Sequence, residues 1–286
     1  MNNILDELVS DYKPGTLDET KSALREIAQS IVLVGLSKGD FFKKASFYGG
    51  TALRLFYGLD RFSEDLDFTL RRPDPSFSLQ PFFPFVEDAA ASYGIHMSIE
   101  RKPKVIASPV ESAFGKLKTY ETFLALSVPS SWPNRLHRDE KIKVEFEVDK
   151  KPALGFAEES KWLPRPEFAP ISVLDAPSLF AGKLHAVLSR KYKMTVKGRD
   201  YYDFLFFIGK GISPNLEYLR NRLVDSYAIG KNDVFDLSTL KRMLHERFAA
   251  VDFKAAVKDA SRFVESPQKF GVWSREMFDS LAEQIK

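Results

Sequence analysis

The stretch Lys141–Asp149 sets Ile142, Val144, Phe146 and Val148 against Lys143, Glu145, Glu147 and Asp149. Side chains on a strand point alternately to its two faces, so a period of two reads as a half-buried strand with one polar face. Ile95–Arg101 and Thr122–Val128 alternate too, and Phe62, Leu66 and Phe68 suggest extended structure over Phe62–Leu70. Helical spacing appears at Leu24, Ile27, Ile31, Leu33 and Val34, after Thr16 and Glu19 in capping-box positions, and predicts a helix over 17–37. A short helix is expected from Gly49-Gly50 to about Tyr57. Trp162–Pro170 carries prolines and reads as a linker. Beyond it the pattern is helical, with candidates at 177–192, 199–209, 215–226, 236–248, 252–264 and 275–285. The expected fold is therefore an α/β part over residues 1–165 followed by an all-α part over 166–286.

A chain of 286 residues with 44% hydrophobic residues can bury a sizeable core, and 25 Phe against 3 Trp give that core much of its bulk. The net charge of +3 is too small to name a nucleic-acid binder from the total, so the distribution of charge matters more. The absence of cysteine excludes disulfides, thiolate nucleophiles and zinc–thiolate sites, and is compatible with a cytoplasmic protein. The opening MNNILDELVSDYKPG has no basic region followed by an apolar run, so no secretory signal is expected. Ser30–Gly35 and Tyr201–Gly209, the longest apolar stretches, are far short of a membrane span.

The segment RFSEDLDF (Arg61–Phe68) is the most informative in the chain. On a strand, Asp65 and Asp67 face the same way, with Leu66 and Phe68 opposite. Two carboxylates held this close repel each other unless a cation lies between them. Hard oxygen donors suit Mg²⁺ (or Mn²⁺), which also takes phosphate oxygens from a substrate. A lone D-x-D is more often a solvated strand end, and the context here changes that balance. Gly49-Gly50-Thr51 precedes the acidic strand and opens a helix, where backbone N–H groups can approach a phosphate. This order resembles the layout of polymerase-β-like nucleotidyltransferases. A third carboxylate is expected from the strand Lys141–Asp149, with Glu145 first and Glu147 second.

Between Pro177 and Arg199 there is no Asp or Glu, while Lys183, His185, Arg190, Lys191, Lys193, Lys197 and Arg199 fall in that interval. A one-signed run suits phosphate or RNA, and its bland alternative is a solvated face. Lys183 lies near the apolar stripe of Leu179, Phe180 and Val187, and either reaches inward to a triphosphate or snorkels to the surface. Asp200 and Asp203 share a face of the next helix and can pair with Lys183 or Arg199, or hold a metal.

These residues resemble a family. GGTALRLFYGLDRFSEDLDF (Gly49–Phe68) is similar to the first motif of the AbiEii/AbiGii toxin family of nucleotidyltransferases, a long and specific pattern. IKVEFE (Ile142–Glu147) looks like its second motif and selects Glu145. AGKLHAVLSR (Ala181–Arg190) and KGRDYYDF (Lys197–Phe204) look like its remaining motifs. The resemblance implies a bilobed protein with a polymerase-β-like core, in which the helical part contributes Lys183 and Asp203 to the cleft. It implies Asp65 and Asp67 as metal ligands, Lys183 at the nucleotide, and Asp203 or Asp200 as a further essential acid. Members are toxins of toxin–antitoxin or phage-defence modules. Some transfer nucleotides to the 3′ end of tRNA, and their antitoxins need not bind them tightly. One departure is Gly49-Gly50, where many enzymes of the wider superfamily have Gly-Ser; Ser63 is the candidate for the missing hydroxyl.

The expected activity is NMP transfer from an NTP to an RNA acceptor, the 3′ end of tRNA first, which blocks translation. Asp65, Asp67 and Glu145 hold metal, Gly49, Gly50, Thr51, Ser63 and Lys183 contact the nucleotide, and Lys183 neutralises phosphate charge. Arg190, Lys191, Lys193, Lys197 and Arg199 guide the RNA backbone. The alternatives are transfer to a protein or small-molecule hydroxyl, and a catalytically silent nucleic-acid-binding module. The four His residues show no metal-ligand spacing, and no P-loop, dinucleotide fingerprint or nucleophile elbow is present.

Overall fold

The computed structural model describes residues 4–102, 109–124, 126, 128–129, 131–190, 196–264 and 270–286. In chain order the first elements are α1 (Ile4–Ser10), α2 (Leu17–Lys38), β1 (Ala45–Tyr48), α3 (Gly49–Tyr57), β2 (Asp65–Leu70), α4 (Phe83–Ser92), β3 (Met97–Arg101), β4 (Val110–Lys118), α5 (Thr119–Leu124), β5 (Lys141–Asp149), β6 (Glu158–Leu163) and β7 (Ala169–Leu174). Helices follow: α6 (Ala176–Ser189), α7 (Gly198–Gly209), α8 (Leu216–Asp225), α9 (Leu237–Ala249), α10 (Phe253–Ala260) and α11 (Arg275–Ala282). Among the described residues no helix is long and apolar enough to cross a membrane.

Packing divides the chain into two units. One comprises Met1–Phe47, Glu64–Pro152 and Ser160–Val173; the other comprises Tyr48–Ser63, Ala153–Glu159 and Leu174–Lys286. The expected 1–165 and 166–286 parts divide the chain lengthwise, whereas these units divide it by contact. Tyr48–Ser63 groups with the later helices because Leu53 and Leu59 sit in their apolar core.

The first unit is built on a mixed seven-stranded sheet of order β3-β4-β5-β2-β1-β7-β6. β2 runs parallel to β5 and β1 parallel to β7, while β4 is antiparallel to both β3 and β5. The strict alternation of β5 becomes buried Ile142, Val144, Phe146 and Val148 on one face. The reciprocal Thr16–Glu19 capping box starts α2, with Thr16 Oγ1 3.2 Å from Glu19 N and Glu19 Oε2 3.1 Å from Thr16 N. α2 packs on β5 and on α4, where Gly35 permits close approach: a Cβ there would lie 2.5 Å from Val86 Cα. Phe41, Phe42, Phe47, Phe68, Phe77 and Phe82 form a cluster of mostly edge-on rings.

Two expectations are corrected here. The alternating stretch from Thr122 is helical at its start, as α5, because among the described side chains Thr119, Thr122, Phe123 and Leu126 are buried, a spacing of three and four. The Thr122 hydroxyl donates to the Lys118 carbonyl one turn back, at 2.9 Å. The Trp162–Pro170 linker instead contains the end of β6 and the start of β7. Prolines at 164, 166 and 170 conceal β7, in which Ala169, Ile171 and Val173 point inward and Pro170 points out.

The second unit is helical. Its core stacks Phe180 on Phe207 and Phe253 on Phe278, with Tyr201, Phe204 and Phe248 between edge-on neighbours. Five of its helices start at a side chain that accepts from the first-turn backbone: Asp175, Asn215, Asp236, Asp252 and Ser274. α7 starts differently. Its cap, Lys197, supplies no acceptor, and the Gly198 N–H donates 2.8 Å to Asp259 on α10. A Cβ on Gly198 would lie 1.8 Å from the Ala256 carbonyl oxygen, so α7 and α10 touch backbone to backbone.

Candidate functional site

Asp65 begins β2 exposed and Asp67 is half-buried, while Leu66 and Phe68 are fully buried, so the two carboxylates share the outer face as the alternation requires. The parallel register sets Asp65 beside Glu145 and Asp67 beside Glu147. With adjacent strands about 4.8 Å apart, four carboxylates crowd one patch of the sheet. Two neighbours relieve the crowding. The Lys102 ammonium lies 2.6 Å from Glu145 Oε1, and the Ser112 hydroxyl donates 2.6 Å to Glu147 Oε1. The hydrogen bond to Glu145, with Glu147 and Asp65 adding their charge, holds the Lys102 ammonium above its ordinary pKa. Sequence reading missed Lys102 and Ser112. Neither lies in a motif, and only the antiparallel register of β4 on β5 brings Ser112 to Glu147.

This patch suits a hard divalent cation by its chemistry. Mg²⁺ is commonly held by one or two carboxylates and completes its shell with water and substrate phosphates. Asp65 and Asp67 are two carboxylates that could serve in that way. Among the described residues no group of three or more His, Asp or Glu side chains is gathered into a metal cage, and Glu145 pairs with Lys102.

In the helical unit, Gly49 adopts φ of 84°, a conformation glycine tolerates, and leads into α3, whose N-cap Tyr48 supplies no side-chain acceptor. The N-terminal end of a helix carries partial positive charge, of the sign that attracts a phosphate. Gly49, Gly50 and Thr51 are all buried. A Cβ on Gly50 would lie 2.7 Å from the Ser63 Oγ, so the Ser63 hydroxyl stands where a side chain at position 50 would reach. That placement suits the expectation that Ser63 replaces the missing serine of the Gly-Ser pair.

Lys183 and Arg190 both reach α7. The Lys183 Nζ lies 2.7 Å from Asp203 Oδ2, and the Arg190 Nη1 lies 2.9 Å from Asp200 Oδ2. Lys183 thus points inward, to an acid, with its side chain 16% exposed. Asp203 is wholly buried and also takes the Arg61 guanidinium on both oxygens, at 2.6 and 2.7 Å. Burial by itself would push the Asp203 carboxyl up, but Arg61 and Lys183 overcome that and hold it below its ordinary pKa. Asp200 goes the other way, raised by burial despite Arg190 and Lys183. Arg61 was legible only as a letter of the motif; its burial and its bond to α7 were not.

The basic run is used unevenly. Arg199 lies over the Phe263 ring at 4.0 Å, half-buried, and Lys197 is exposed at the start of α7. Lys191 and Lys193 lie outside the described residues. His185 is held neutral, at about 4, first by burial and then by the charges of Arg222 and Arg190.

The family model of the nucleotidyl transferase AbiEii toxin, type IV toxin–antitoxin system, matches residues 31–283. The chain belongs to this family. AbiEii membership makes it a nucleotidyltransferase of the toxin type, with a nucleoside triphosphate as donor and an antitoxin as the implied partner. Among solved structures the chain resembles JHP933 from Helicobacter pylori, with 17% identity over 92% of this chain and 90% of that one and a TM-score of 0.52. It also resembles MenT4, a nucleotidyltransferase toxin from Mycobacterium tuberculosis H37Rv, with 18% identity over 98% and 99% and a TM-score of 0.50. These likenesses show a shared fold. No curated protein matches the chain. The AbiEii match spans both Asp65-Leu66-Asp67 and the Lys183–Asp203 pair, the two chemical features described above.

Proposed function

We propose that this AbiEii-family chain uses Mg²⁺ to transfer NMP from an NTP to the 3′ end of tRNA, in the cytoplasm, and so blocks translation until its antitoxin restrains it. The observation that carries the reading is the acidic patch, where β2 and β5 in register bring Asp65, Asp67, Glu145 and Glu147 to one face. In this reading Asp65 and Asp67 hold the cation, with Glu145 as third ligand once Lys102 releases it. The cation, when bound, would neutralise phosphate oxygens.

The protein's own groups do the rest. The first-turn amides of α3 at Gly49, Gly50 and Thr51, with the Ser63 hydroxyl, receive phosphate oxygens. Lys183 neutralises charge that grows on the leaving phosphates. Glu145 orients the acceptor hydroxyl. Arg190, Lys191, Lys193, Lys197 and Arg199 follow the RNA backbone, a contact whose strength falls as salt rises. The 1–165 part is the nucleotidyltransferase domain in this account, and the 166–286 part supplies Lys183 and Asp203.

The test is a transfer assay with total bacterial tRNA, Mg²⁺ and each α-phosphate-radiolabelled NTP in turn. Label should enter tRNA with at least one NTP, and Asp67→Ala should abolish it with a thermal midpoint close to wild type. Label on protein or on a small molecule instead of tRNA overturns the acceptor. A wild-type rate in folded Asp67→Ala overturns the assignment of the site.

A further inference from the structure

The family motif contains Arg61 and Asp203, and their geometry separates them from the reacting atoms. The Asp203 carboxylate is wholly enclosed and both its oxygens are engaged: Oδ1 by Arg61 Nε, Oδ2 by Arg61 Nη2 and by Lys183 Nζ. It has no open side from which to meet a substrate. The Arg61 guanidinium is itself 3% exposed, and its remaining nitrogen, Nη1, donates 2.9 Å to the Phe62 carbonyl. The same guanidinium packs under the glycine turn, since a Cβ on Gly50 would lie 3.0 Å from Nη2. The segment is pinned from the other side as well. Arg61 bridges to Val264, and the Phe62 N–H donates 2.8 Å to the Phe263 carbonyl.

Charge gives the arrangement its direction. Two cations share one oxygen of a single carboxylate, so the cluster keeps one excess positive charge, and Lys183 is its only partly exposed member. Buried cations this close repel unless an anion joins them, and a phosphate oxygen reaching Lys183 would complete the balance. Arg's planar fork matches a carboxylate on two points, which lysine cannot do.

We propose that Arg61 and Asp203 are positioning residues: Asp203 aims the Lys183 ammonium and clamps Arg61, and Arg61 sets the height of the Gly49–Gly50 turn and the Ser63 hydroxyl, so that together they shape a cradle for a triphosphate. The inference rests on the reading that this turn and Lys183 receive the nucleotide's phosphates. It assigns the essential acid of this motif to geometry rather than to proton transfer or metal binding.

The experiment measures binding of inorganic tripolyphosphate with Mg²⁺ to the full chain by calorimetry, alongside KM and kcat for NTP in the transfer assay. Asp203→Asn and Arg61→Lys should each weaken tripolyphosphate at least tenfold and raise KM in parallel, with kcat falling as well because a misaimed Lys183 meets less of the charge that grows on the leaving phosphates. The double variant should be no worse than the poorer single one, because the two residues act as one unit. A hundredfold fall in kcat with unchanged KM and tripolyphosphate affinity, or losses that multiply in the double variant, overturns the proposal. If either substitution prevents folding, Gly50→Ala approaches the guanidinium from its other side and should weaken tripolyphosphate by a similar factor; unchanged binding in that folded variant also overturns it. Should no acceptor take label from the wild type, the tripolyphosphate arm still reads the cradle. Loss of transfer with an intact wild-type cradle condemns the acceptor, not the positioning unit.

Discussion

Gly198→Ala joins packing to function at a single methyl group. Gly198 opens α7, and a Cβ there would meet the Ala256 carbonyl oxygen at 1.8 Å, the Ala256 carbonyl carbon at 2.7 Å and the Ala260 nitrogen at 2.9 Å. All three are backbone atoms of α10 or its neighbourhood, so no rotamer change relieves the contact. An ordinary carbon–oxygen approach is about 3.3 Å or more, so α7 and α10 must separate by about 1.5 Å. Helix propensity pulls the other way, because alanine is favoured over glycine by about 1 kcal/mol within a helix. Overpacking of a rigid contact costs about 1–3 kcal/mol, and the separation also loosens Tyr201 from Phe253 across the same interface. With the ring contact counted, the net expectation is a loss of about 1–2 kcal/mol, or roughly 2–8 °C in thermal midpoint for a chain of this size. The same shift moves Asp203, five residues along α7, away from bonds of 2.6–2.7 Å to Arg61 and Lys183, so transfer should fall by more than the unfolded fraction explains. The assay is thermal unfolding followed by circular dichroism, with transfer measured well below the midpoint. A midpoint equal to or above wild type would refute the reasoning, since propensity would then have outweighed the clash.

Gly35→Ala should destabilise the sheet unit for the same reason, as its Cβ would lie 2.5 Å from Val86 Cα and 2.8 Å from the Phe85 carbonyl; an unchanged urea midpoint would count against it. Lys102→Ala removes the cation resting on Glu145, and exposed pairs of this kind contribute up to about 1 kcal/mol, so Mn²⁺ should bind up to about fivefold more tightly by calorimetry. Weaker Mn²⁺ binding would mean that Lys102 supports the site instead of competing for it. His245 on α9 lies between Asp279 (2.6 Å) and Glu283 (2.7 Å), and its hydrogen bonds to Glu283 and Asp279 raise its pKa in the folded state. Its contribution is thus complete below the unfolded value near 6.5 and lost as pH rises through the folded value, so the wild-type midpoint should fall over that interval and His245→Gln should flatten the fall. Parallel pH profiles for the two proteins would exclude the clamp.

Where one physical signal dominated, the sequence was enough. The alternation of β5 and the capping box of α2 describe strong local preferences, and both appear close to where periodicity set them. The same holds for Asp65 and Asp67, whose common face follows from strand geometry alone. β7 was hidden because prolines mark both turns and strand ends, and α5 because the alternation of Leu124, Leu126 and Val128 in the sequence runs on from a helix that ends at Leu124. Lys102, Ser112 and the true role of Arg61 were hidden for another reason. Each acquires its meaning from a residue far along the chain, Glu145, Glu147 and Asp203, and no local pattern encodes such a partner.

The charge distribution explains why a net charge of +3 said so little about function. The outer face of β2 and β5 gathers four carboxylates with one lysine ammonium at hand, a strongly negative local balance. Arg61, Lys183 and Asp203 leave one positive charge in excess, with Arg190 and Asp200 cancelling beside them. Both local balances are small beside the 42 basic and 39 acidic residues of the chain, so the net charge does not report them. Like charges held together cost stability, and this chain limits that cost with internal stand-ins: Lys102 against Glu145 on the sheet, and Asp203 between Arg61 and Lys183 in the helical unit. The two stand-ins differ in permanence. Lys102, 42% exposed, can yield to a cation, whereas Asp203, with no exposed surface, stays in place and orders the groups around it.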